Sequence, residues 1–471
     1  MPFRPFFPYR EQKILQILLK RSKRLALFIL VMTGAAAGEI AAQSIRVGVF
    51  EVDTTPPIGS PVAYAPTRKI VDPLSARGIV ILSDEQPIVL CAVDWLGIAN
   101  EGLELWRKKL AKAAKTTVDR VSVHALHQHD GARCDLTSEK ILRQYGLGGT
   151  RYDTDFLKLT VKRAAKAVKQ ARRSAQPVTH LGIGQSKVEK VASNRRILGD
   201  DGMVSIIRWS KTSDPKAIAA PEGLIDPWLK ALSFWNGDQP IAVLTYYATH
   251  PQSYYGQGDV TCEFVGIARN QRERDSGIPH IHFNGAGGNI TAGKYNDGSV
   301  ERRPVLTRRM ETAMAAAWEQ TAKSEIAADD LGWHTREVLL PPGKHLVEKD
   351  LVAQLEDPEV EDDWKMYVAK HLAWLRRTKA GKTITISALR LGKAQLLHLP
   401  GELFIEYQLA AQKMRPEDFI CTAAYGEYGM GYIGTAEAYT QGGYETSERA
   451  SRVAPGSEQV LLQAIRAVLD P

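Results

Sequence analysis

Short apolar runs along the chain alternate with longer stretches in which apolar residues recur at helical spacing. Residues 78–82 and 87–93 are continuous apolar runs joined by a short polar turn, which predicts a hairpin inside a sheet. The same pattern predicts further strands at residues 45–50, 241–247, 280–283, 383–391, 395–399 and 420–424.

The amphipathic stretches between these strands predict helices. They cover residues 100–114, 154–175, 264–274, 305–320, 350–377 and 402–414. The segment 350–377 is predicted to be one long helix. No Pro-, Gly- or Ser-rich linker divides the chain. We therefore predict a mixed α/β fold, with sheets flanked by helices in a single large domain.

Composition and charge exclude some classes of function. The 471 residues are 44% hydrophobic and 24% charged, which is ordinary for a globular protein. The net charge is +8, but residues 1–43 hold seven basic and two acidic residues, so the remaining chain carries only +3. No basic stripe with interleaved aromatic residues and no DNA-binding signature occurs. The sequence therefore argues against a nucleic-acid partner.

The first 43 residues have the parts of an export signal. A basic segment is followed by the apolar run 25–34 and then by three alanines at 35–37. The apolar run is shorter than the roughly 20 residues that a membrane-spanning helix needs. We predict that residues 1–43 are a signal peptide, with an N-terminal anchor as the alternative. Residues 44–471 would then be an exported domain, periplasmic or secreted.

The four cysteines are far apart and form no Cys-x-x-Cys motif, so a thiolate metal site is not expected. They are Cys91, Cys134, Cys262 and Cys421. The first and last lie in apolar runs and are predicted to be buried thiols. A disulfide remains open in an exported protein.

A His-x-His pair is the strongest candidate for chemistry. The valines of segment 120–131 predict a short buried strand that ends in an Asp-Gly turn. Side chains alternate along a strand, so His127 and His129 would lie on the same side. Neutral imidazole is a common zinc ligand, which favours a metal site; two histidines that bind nothing are the alternative.

Other polar residues follow predicted strands in the same way. His250 ends the strand 241–247 and is fixed by a following proline. Asp94 ends the strand 87–93 and could be a ligand, a partner of a histidine or a helix cap. The Gly-rich segment 284–291 favours backbone N–H groups that approach a ligand, or else a tight turn. Glu402 could be no more than an acid in the first turn of a helix.

Taken in order, these motifs resemble the catalytic domain of the neutral (non-lysosomal) ceramidases. The resemblance covers about residues 45–465. It is carried by His-x-His-x-Gly at 127–131, His-Pro at 250–251, the Gly-rich loop at 284–291, Pro-Gly-Glu at 400–402 and Gly-Tyr-Ile-x-Thr at 431–435.

The resemblance implies a zinc site. In that family one Zn²⁺ is held by two histidines, a glutamate and a tyrosine, which correspond here to His127, His250, Glu402 and Tyr432. Nitrogen and carboxylate oxygen are ligands that zinc accepts, and zinc can activate a water for attack on a carbonyl.

The resemblance also implies catalytic roles. His129 corresponds to a group that transfers a proton or supports the metal ligands, and Tyr432 could stabilise an oxyanion. Arg195, in an Asn-Arg segment similar to one in the family, would contact substrate or a catalytic carboxylate. Thr291 stands where the family has an active-site serine. The implied activity is hydrolysis of an amide bond, in ceramide or another N-acyl substrate.

The chain departs from the family pattern at several positions. The family has aspartate where Asn289 stands, serine where Thr291 stands, and serine where Asp130 follows the His-x-His. The family also carries a C-terminal immunoglobulin-like domain, for which the sequence up to Pro471 leaves no room, so a short form is expected. The metal site is therefore better supported than the lipid substrate.

Two alternatives remain open. The chain could be an exported metal-binding protein without turnover, or a zinc hydrolase of a non-lipid ester or amide. A metallo-β-lactamase-type site would need His-x-His-x-Asp-His, which the sequence lacks, and the regular βα repeats of an amidohydrolase barrel are missing. A small-molecule or lipid-like substrate is the expected partner, with peripheral membrane contact and oligomeric state left open.

Overall fold

A computed structural model describes residues 45–470, so the predicted leader at 1–43 lies outside the described residues. The strands of the first half are β1 (Arg46–Asp53), β2 (Lys69–Ile70), β3 (Ser75–Leu82), β4 (Ile88–Val93), β5 (Gly97–Ala99), β6 (Val121–Ala125), β7 (Arg133–Asp135), β8 (Gln176–Pro177), β9 (His180–Lys187), β10 (Ser193–Asn194), β11 (Arg196–Leu198) and β12 (Val204–Ile207).

The strands of the second half are β13 (Trp228–Asn236), β14 (Gln239–Tyr247), β15 (Asp259–Val260), β16 (His280–Asn284), β17 (Ile290–Thr291), β18 (Ala322–Glu325), β19 (Leu331–Val338), β20 (Ile384–Leu391), β21 (Ala394–His398), β22 (Glu402–Leu403), β23 (Phe419–Ala423) and β24 (Tyr432–Ile433).

The α-helices between them are α1 (Asn100–Ala114), α2 (Leu136–Gln144), α3 (Thr154–Arg173), α4 (Pro215–Ala219), α5 (Glu263–Ser276), α6 (Arg302–Glu319), α7 (Glu348–Glu356), α8 (Asp362–Lys379), α9 (Ile405–Met414), α10 (Ala436–Thr440) and α11 (Ser457–Leu469). The search for membrane-spanning segments within residues 45–470 found no helix with the length and apolar character to cross a bilayer.

Three sheets organise these elements. The first has the strand order β6-β4-β3-β1-β8, the second β16-β14-β13-β9-β18 and the third β19-β20-β21-β23. Each sheet has one parallel pair at an edge: β4 with β6, β14 with β16, and β21 with β23. All other neighbours in the three sheets are antiparallel. The mixed α/β prediction is confirmed, and residues 45–470 form one compact unit.

Helices cover the sheets with apolar faces. On α3, buried residues recur at helical spacing from Phe156 to Ala171 and pack on the first sheet. Gly48 of β1 permits this close approach, because a Cβ there would collide with the backbone carbonyl of Ala171. The fold thus buries the outer faces of its sheets under amphipathic helices.

The carboxyl ends of the parallel pairs meet one another. The backbone N–H of Ala125, at the end of β6, donates to the carbonyl of Tyr425 at 3.0 Å. The N–H of Ala424, just after β23, donates to Asn284 at the end of β16 at 2.9 Å. These hydrogen bonds join the ends of all three sheets, so side chains that follow the strands are brought together.

Two of the predicted helices differ from the structure. The single helix predicted at 350–377 is two helices, α7 and α8, separated by a segment that contains Pro358, which lacks the N–H needed to continue a helix. The helix predicted from residue 402 begins only at Ile405. Glu402 is therefore in the short strand β22 and is not a first-turn acid. All four cysteines, which lie within the described chain, are buried and unpaired there.

Asp94 ties the first sheet to helix α5. Its carboxylate accepts two hydrogen bonds from Arg269, at 2.6 and 2.9 Å, and two more from the backbone and hydroxyl of Ser75. Both charged side chains are buried. Burial pushes the pKa of Asp94 upward, but Arg269 outweighs it and holds the pKa below its ordinary value. Asp94 is thus a structural ion-pair partner, neither a metal ligand nor a helix cap.

We expect Asp94→Asn to lower the free energy of unfolding by about 3–5 kcal/mol, because it leaves the buried Arg269 without a counterion. The loss should be measured by urea unfolding, with Asp84→Asn in the exposed β3–β4 turn as the matched control. Because the folded-state pKa is lowered, the carboxylate stabilises the protein above the ordinary carboxyl pKa of about 3.9, and this contribution is lost as the pH falls through the lowered value. The difference in free energy of unfolding between the parent and Asp94→Asn should therefore become smaller in acid. An Asn variant as stable as the parent near neutral pH would contradict the assignment.

Candidate metal centre

His127 is held in an unusual backbone conformation beyond the strand. Strand β6 ends at Ala125, and His127 has φ of +70°, in the left-handed region that a non-glycine residue rarely adopts. The strand-alternation argument for the two histidines is therefore wrong, because neither lies on the strand. They nevertheless meet: the Nε2 atoms of His127 and His129 lie 3.2 Å apart.

The ring of His127 is fixed by three contacts. Its Nδ1 donates to the carbonyl of Leu96 at 2.7 Å. The ring of Tyr425 stacks on it with centroids 4.4 Å apart and an interplanar angle of 18°. The side chain is only 1% exposed. Because a carbonyl can only accept, Nδ1 carries the proton and Nε2 presents a lone pair to the site.

His250 follows strand β14 and is fixed in the same way by the Gly-rich loop. Its Nδ1 donates to the carbonyl of Gly287 at 2.7 Å, so its Nε2 also presents a lone pair. Its backbone N–H donates to Ile290 at 3.0 Å. Burial lowers the pKa of His250, which keeps the ring neutral.

The Gly-rich loop packs against the protein and uses four of its N–H groups there. The N–H groups of Gly285, Ala286, Gly288 and Ile290 all donate to protein acceptors. Gly288 is required because a Cβ would collide with the backbone carbonyl of Glu402. The interpretation that its N–H groups approach a ligand is therefore wrong for these four. The loop instead offers carbonyls to His250 and packs against the strand that carries Glu402.

Glu402 and Tyr432 are paired across two short parallel strands. They are directly opposite in the register of β22 and β24. Gly401 and Gly431, each immediately before one of these residues, both have positive φ. The Glu402 and Tyr432 side chains are 3% and 6% exposed. The sequence pattern that resembles Pro-Gly-Glu and Gly-Tyr-Ile-x-Thr thus forms one small two-stranded unit.

One carboxylate oxygen of Glu402 faces both imidazole lone pairs. Its Oε2 lies 3.1 Å from Nε2 of His127 and 3.2 Å from Nε2 of His250. This oxygen is buried and receives no hydrogen bond from the described chain. Because the ring protons of His127 and His250 are used at Nδ1, this carboxylate oxygen faces two ring nitrogens with no proton between them.

This arrangement fits a cation. A tetrahedral zinc ion with bonds of about 2.0–2.1 Å places its ligands roughly 3.3–3.4 Å apart, close to the separations above. The hydroxyl of Tyr432 lies 3.1 Å from Nε2 of His250 and completes a nitrogen and oxygen donor set. His129 is also near, since the ring nitrogens of His127, His129 and His250 lie within 4.8 Å of one another. These three histidines could hold a metal ion.

Tyr428 supports Glu402 from the other side. Its hydroxyl donates to Oε1 of Glu402 at 2.6 Å, which leaves Oε2 aimed at the histidines. Burial and the Glu402 charge raise the pKa of Tyr428, so the phenol stays protonated and keeps donating. Sequence patterns assigned Tyr428 no role, and its place four residues before Tyr432 is the only signal that could have identified it.

Arg195 lies behind Tyr432. Its Nη1 donates to the Tyr432 hydroxyl at 3.0 Å, and its Nε lies 3.1 Å from the buried carboxylate of Glu445. Burial and the Glu402 charge raise the pKa of Tyr432. Arg195 therefore contacts Tyr432 and the buried carboxylate of Glu445, and its predicted contact with substrate or a catalytic carboxylate stays a prediction. Glu445 was not identified from the sequence.

His129 marks the side of the cluster that faces solvent. It is partly exposed, and its Nδ1 lies 2.6 Å from the hydroxyl of the exposed Tyr64. The ring of Tyr255 packs edge-on against Tyr64 with centroids 5.1 Å apart. Burial of its ring lowers the pKa of His129 well below its usual value. His129 is thus a neutral imidazole at the mouth.

The remaining candidate, Thr291, contacts the cluster only through its neighbours. Its hydroxyl donates to the carbonyl of Trp209 at 3.2 Å. The residues that depart from the family pattern are also engaged elsewhere. Asn289 donates to Glu406 at 2.9 Å, and Asp130 accepts from the N–H of Gly256 at 2.9 Å.

Comparison with known proteins found similarity of fold to solved structures, and none to a family model or a curated sequence. No protein-family model and no curated protein sequence matches the chain. Several solved structures do, including two ceramidases. One, a ceramidase complexed with C2, has a TM-score of 0.67 at 17% identity over 90% of this chain and 75% of its own. The other, neutral ceramidase from Pseudomonas aeruginosa, has a TM-score of 0.66 at 18% identity over 90% of this chain and 74% of its own.

The class of protein is therefore a mixed α/β domain whose sheet ends gather a buried cluster of histidine, glutamate and tyrosine. More particularly, residues 45–470 have the fold of neutral ceramidases, and the predicted resemblance to that catalytic domain is confirmed as a resemblance of fold.

We expect Tyr428→Phe to weaken binding of a divalent metal ion by about 10–100-fold, because Glu402 loses the hydrogen-bond donor that leaves Oε2 aimed at the histidines. A competition titration with a chromophoric chelator measures the change. Tyr439→Phe, which removes a hydroxyl that contacts Ser451, is the matched control and should leave metal affinity unchanged. Equal affinity in the Tyr428 variant and the parent would remove the supporting role.

Proposed function

We propose that the chain is a zinc-dependent hydrolase that cleaves an amide bond in an N-acyl, lipid-like substrate. The observation that carries this proposal is Oε2 of Glu402, a buried and unbonded oxygen that faces the lone pairs of His127 and His250. The proposed ligands are these three residues and Tyr432. When bound, zinc supplies a Lewis acid that polarises a carbonyl and makes water a nucleophile near neutral pH.

His129 is the proposed proton carrier. It is neutral, partly exposed and adjacent to the ligand His127, with Nδ1 against Tyr64. A neutral imidazole in this place can take a proton at Nε2 as water attacks, and can return it to the departing amine. Tyr64 holds the ring so that Nε2 stays directed at the cluster.

Tyr432 and Arg195 are proposed to stabilise the negative charge that develops on the carbonyl oxygen. The Arg195 guanidinium donates to the phenol, and Glu445 fixes the guanidinium from behind. These donors are oriented by the fold before substrate binds, which is the condition for electrostatic stabilisation of a transition state. We assign Thr291 a positioning role, through its hydrogen bond to Trp209, whose indole lies 5.4 Å from the Arg195 guanidinium carbon.

The domain assignment and location belong to the same proposal. We propose that residues 44–471 are the catalytic domain and that residues 1–43 direct the chain out of the cytoplasm as a signal peptide or anchor. The basic, then apolar, then alanine-rich order of that segment supports export. A lipid-like substrate would bring the mouth at Tyr64 to a membrane surface.

We expect the purified parent to hold close to one zinc per chain, and His127→Ala and Glu402→Ala to lose both metal and hydrolysis. Elemental analysis and a panel of N-acyl amides and esters measure the two properties. His180→Ala and Glu437→Gln, outside the cluster, are the matched controls and should retain both. Removal of metal with a chelator should also lower the melting temperature, since the ion binds only the folded site.

Two results would count against the proposal in different ways. Metal retained by both ligand variants would remove the zinc site. A parent that holds zinc and cleaves nothing in the panel would leave a metal-binding protein and remove the hydrolase.

A further inference from the structure

Three cationic side chains surround a small cavity beside the metal centre. They are Arg133 in β7, Lys370 in α8 and Arg452, from three distant parts of the chain. The cavity has a volume of about 20 Å³. None of the three forms a salt bridge with a carboxylate of residues 45–470.

The few contacts of these side chains leave their charge uncompensated. Arg452 is only 5% exposed, its Nη1 donates to the carbonyl of Gly429 at 3.3 Å, and its Nε has no partner within the described chain. Arg133 donates to the sulfur of Met366 at 3.1 Å, and its buried Nε is likewise without a partner there. Lys370 only lies over the ring of Tyr367, with Nζ 5.3 Å from its centroid.

Fully buried cations elsewhere in the fold are compensated in one of two ways. Arg269 is paired with Asp94, Arg303 with Glu263 and Arg195 with Glu445, whereas Arg208 donates to four backbone carbonyls. Desolvating a cation costs stability unless a partner compensates. Burial, followed by Arg133 and Arg452, also lowers the pKa of Lys370 well below its usual value. The buried Arg452 and the half-buried Arg133 and Lys370 have neither a carboxylate nor a full set of carbonyls, which a missing anion explains.

One acid at the cavity does not supply that anion. Asp135 lines it, but its carboxylate accepts from the N–H groups of Thr137 and Ser138 and from the side chains of Asn100 and Ser138. These bonds cap helix α2 and hold Asp135 at its N-terminus. Its oxygens are thus occupied.

The cavity shares a wall with the metal centre. Tyr428 lines it and donates to Glu402 at 2.6 Å, and Leu96 lines it and accepts from His127 at 2.7 Å. Arg133 also reaches toward the mouth, with its guanidinium carbon 5.8 Å from the ring centroid of Tyr64. Tyr428 and Leu96 thus contact both the cavity and two of the proposed ligands.

We propose that this cavity binds a carboxylate carried by the substrate, so that the enzyme acts on anionic amides of the N-acyl amino acid type. A single water needs about 10–15 Å³, so the cavity of about 20 Å³ suits one small group. A planar carboxylate also matches the fork of an arginine. This inference rests on the proposed hydrolase and names its substrate class.

The first test compares two substrates of equal size. N-octanoylglycine carries the carboxylate, and N-octanoylglycinamide is its neutral match. We expect kcat/KM of the parent to favour the anion by about tenfold or more, and Lys370→Gln and Arg452→Gln to lose about 10–100-fold on the anion alone. Arg452→Lys should restore part of the preference, and Lys166→Gln, on the exposed face of α3, should change nothing.

Folding of the variants is checked by their melting temperatures. Lys370 makes no hydrogen bond or salt bridge with the described chain, so Lys370→Gln should melt no lower than the parent. A preference that survives in both Gln variants, or a parent without preference, would overturn the proposal. If acetate competes with N-octanoylglycine while the parent shows no preference between the two substrates, the cavity binds free anions and the substrate assignment is wrong.

A binding measurement separates this proposal from the proposed function. Octyloxyacetate and 2-octyloxyethanol have no amide bond, and only octyloxyacetate carries a charge at one end. Calorimetry of the purified parent should show tighter binding of the carboxylate, with the difference lost in Lys370→Gln. If no amide is cleaved but this difference is seen, the hydrolase fails and the anion site stands. If amides are cleaved and the difference is missing, the anion site fails alone.

Discussion

The metal centre depends on one constraint, a buried carboxylate oxygen held against two imidazole lone pairs. Glu402 is almost inaccessible to solvent and cannot gain a proton from His127 or His250, because each ring has already committed its proton to a backbone carbonyl. Such a group is costly to bury without a positive partner. Two features hold the carboxylate in place. The Tyr428 hydroxyl donates to its other oxygen, and Glu402 lies in β22, which is paired with β24.

The arrangement of the sheets explains how residues so distant in sequence meet. Each of the three sheets ends in a parallel pair, and the carboxyl ends of those pairs are joined by backbone hydrogen bonds from Ala125 to Tyr425 and from Ala424 to Asn284. His127 and His250 follow such strands directly. Glu402 and Tyr432 each follow a glycine of positive φ, Gly401 and Gly431. The site is therefore a product of where strands end, as in other open sheets.

Sequence patterns predicted much of this, but unevenly. The apolar runs located β3, β4, β14 and β16, and the order of five short motifs led to the fold. The pattern failed where local rules compete with tertiary contacts. Strand alternation could not show that His127 takes a left-handed conformation, and amphipathic periodicity across 350–377 hid the break at Pro358. Glu402 satisfied the rule for a helix start but lies in a strand.

The residues missed altogether share a physical reason. Tyr64, Tyr428 and Glu445 act through contacts with partners far along the chain, and nothing in their immediate neighbours distinguishes them from packing residues. The same holds for Arg133, Lys370 and Arg452, whose significance lies in the counterions they lack. A sequence shows which charges a chain contains, whereas pairing of charges is known only from the fold.

The wide spacing of the metal ligands has a consequence for maturation. In a zinc finger the donors are neighbours in the chain, so the ion can direct folding from the start. Here two of the donors stand at the ends of different sheets and the others on a separate two-stranded unit, so the complete set exists only after those sheets have docked. With the proposed ligands, binding of the ion would follow the docking of the sheets. A substitution that loosens sheet docking far from the centre would then lower metal content before it unfolds the protein.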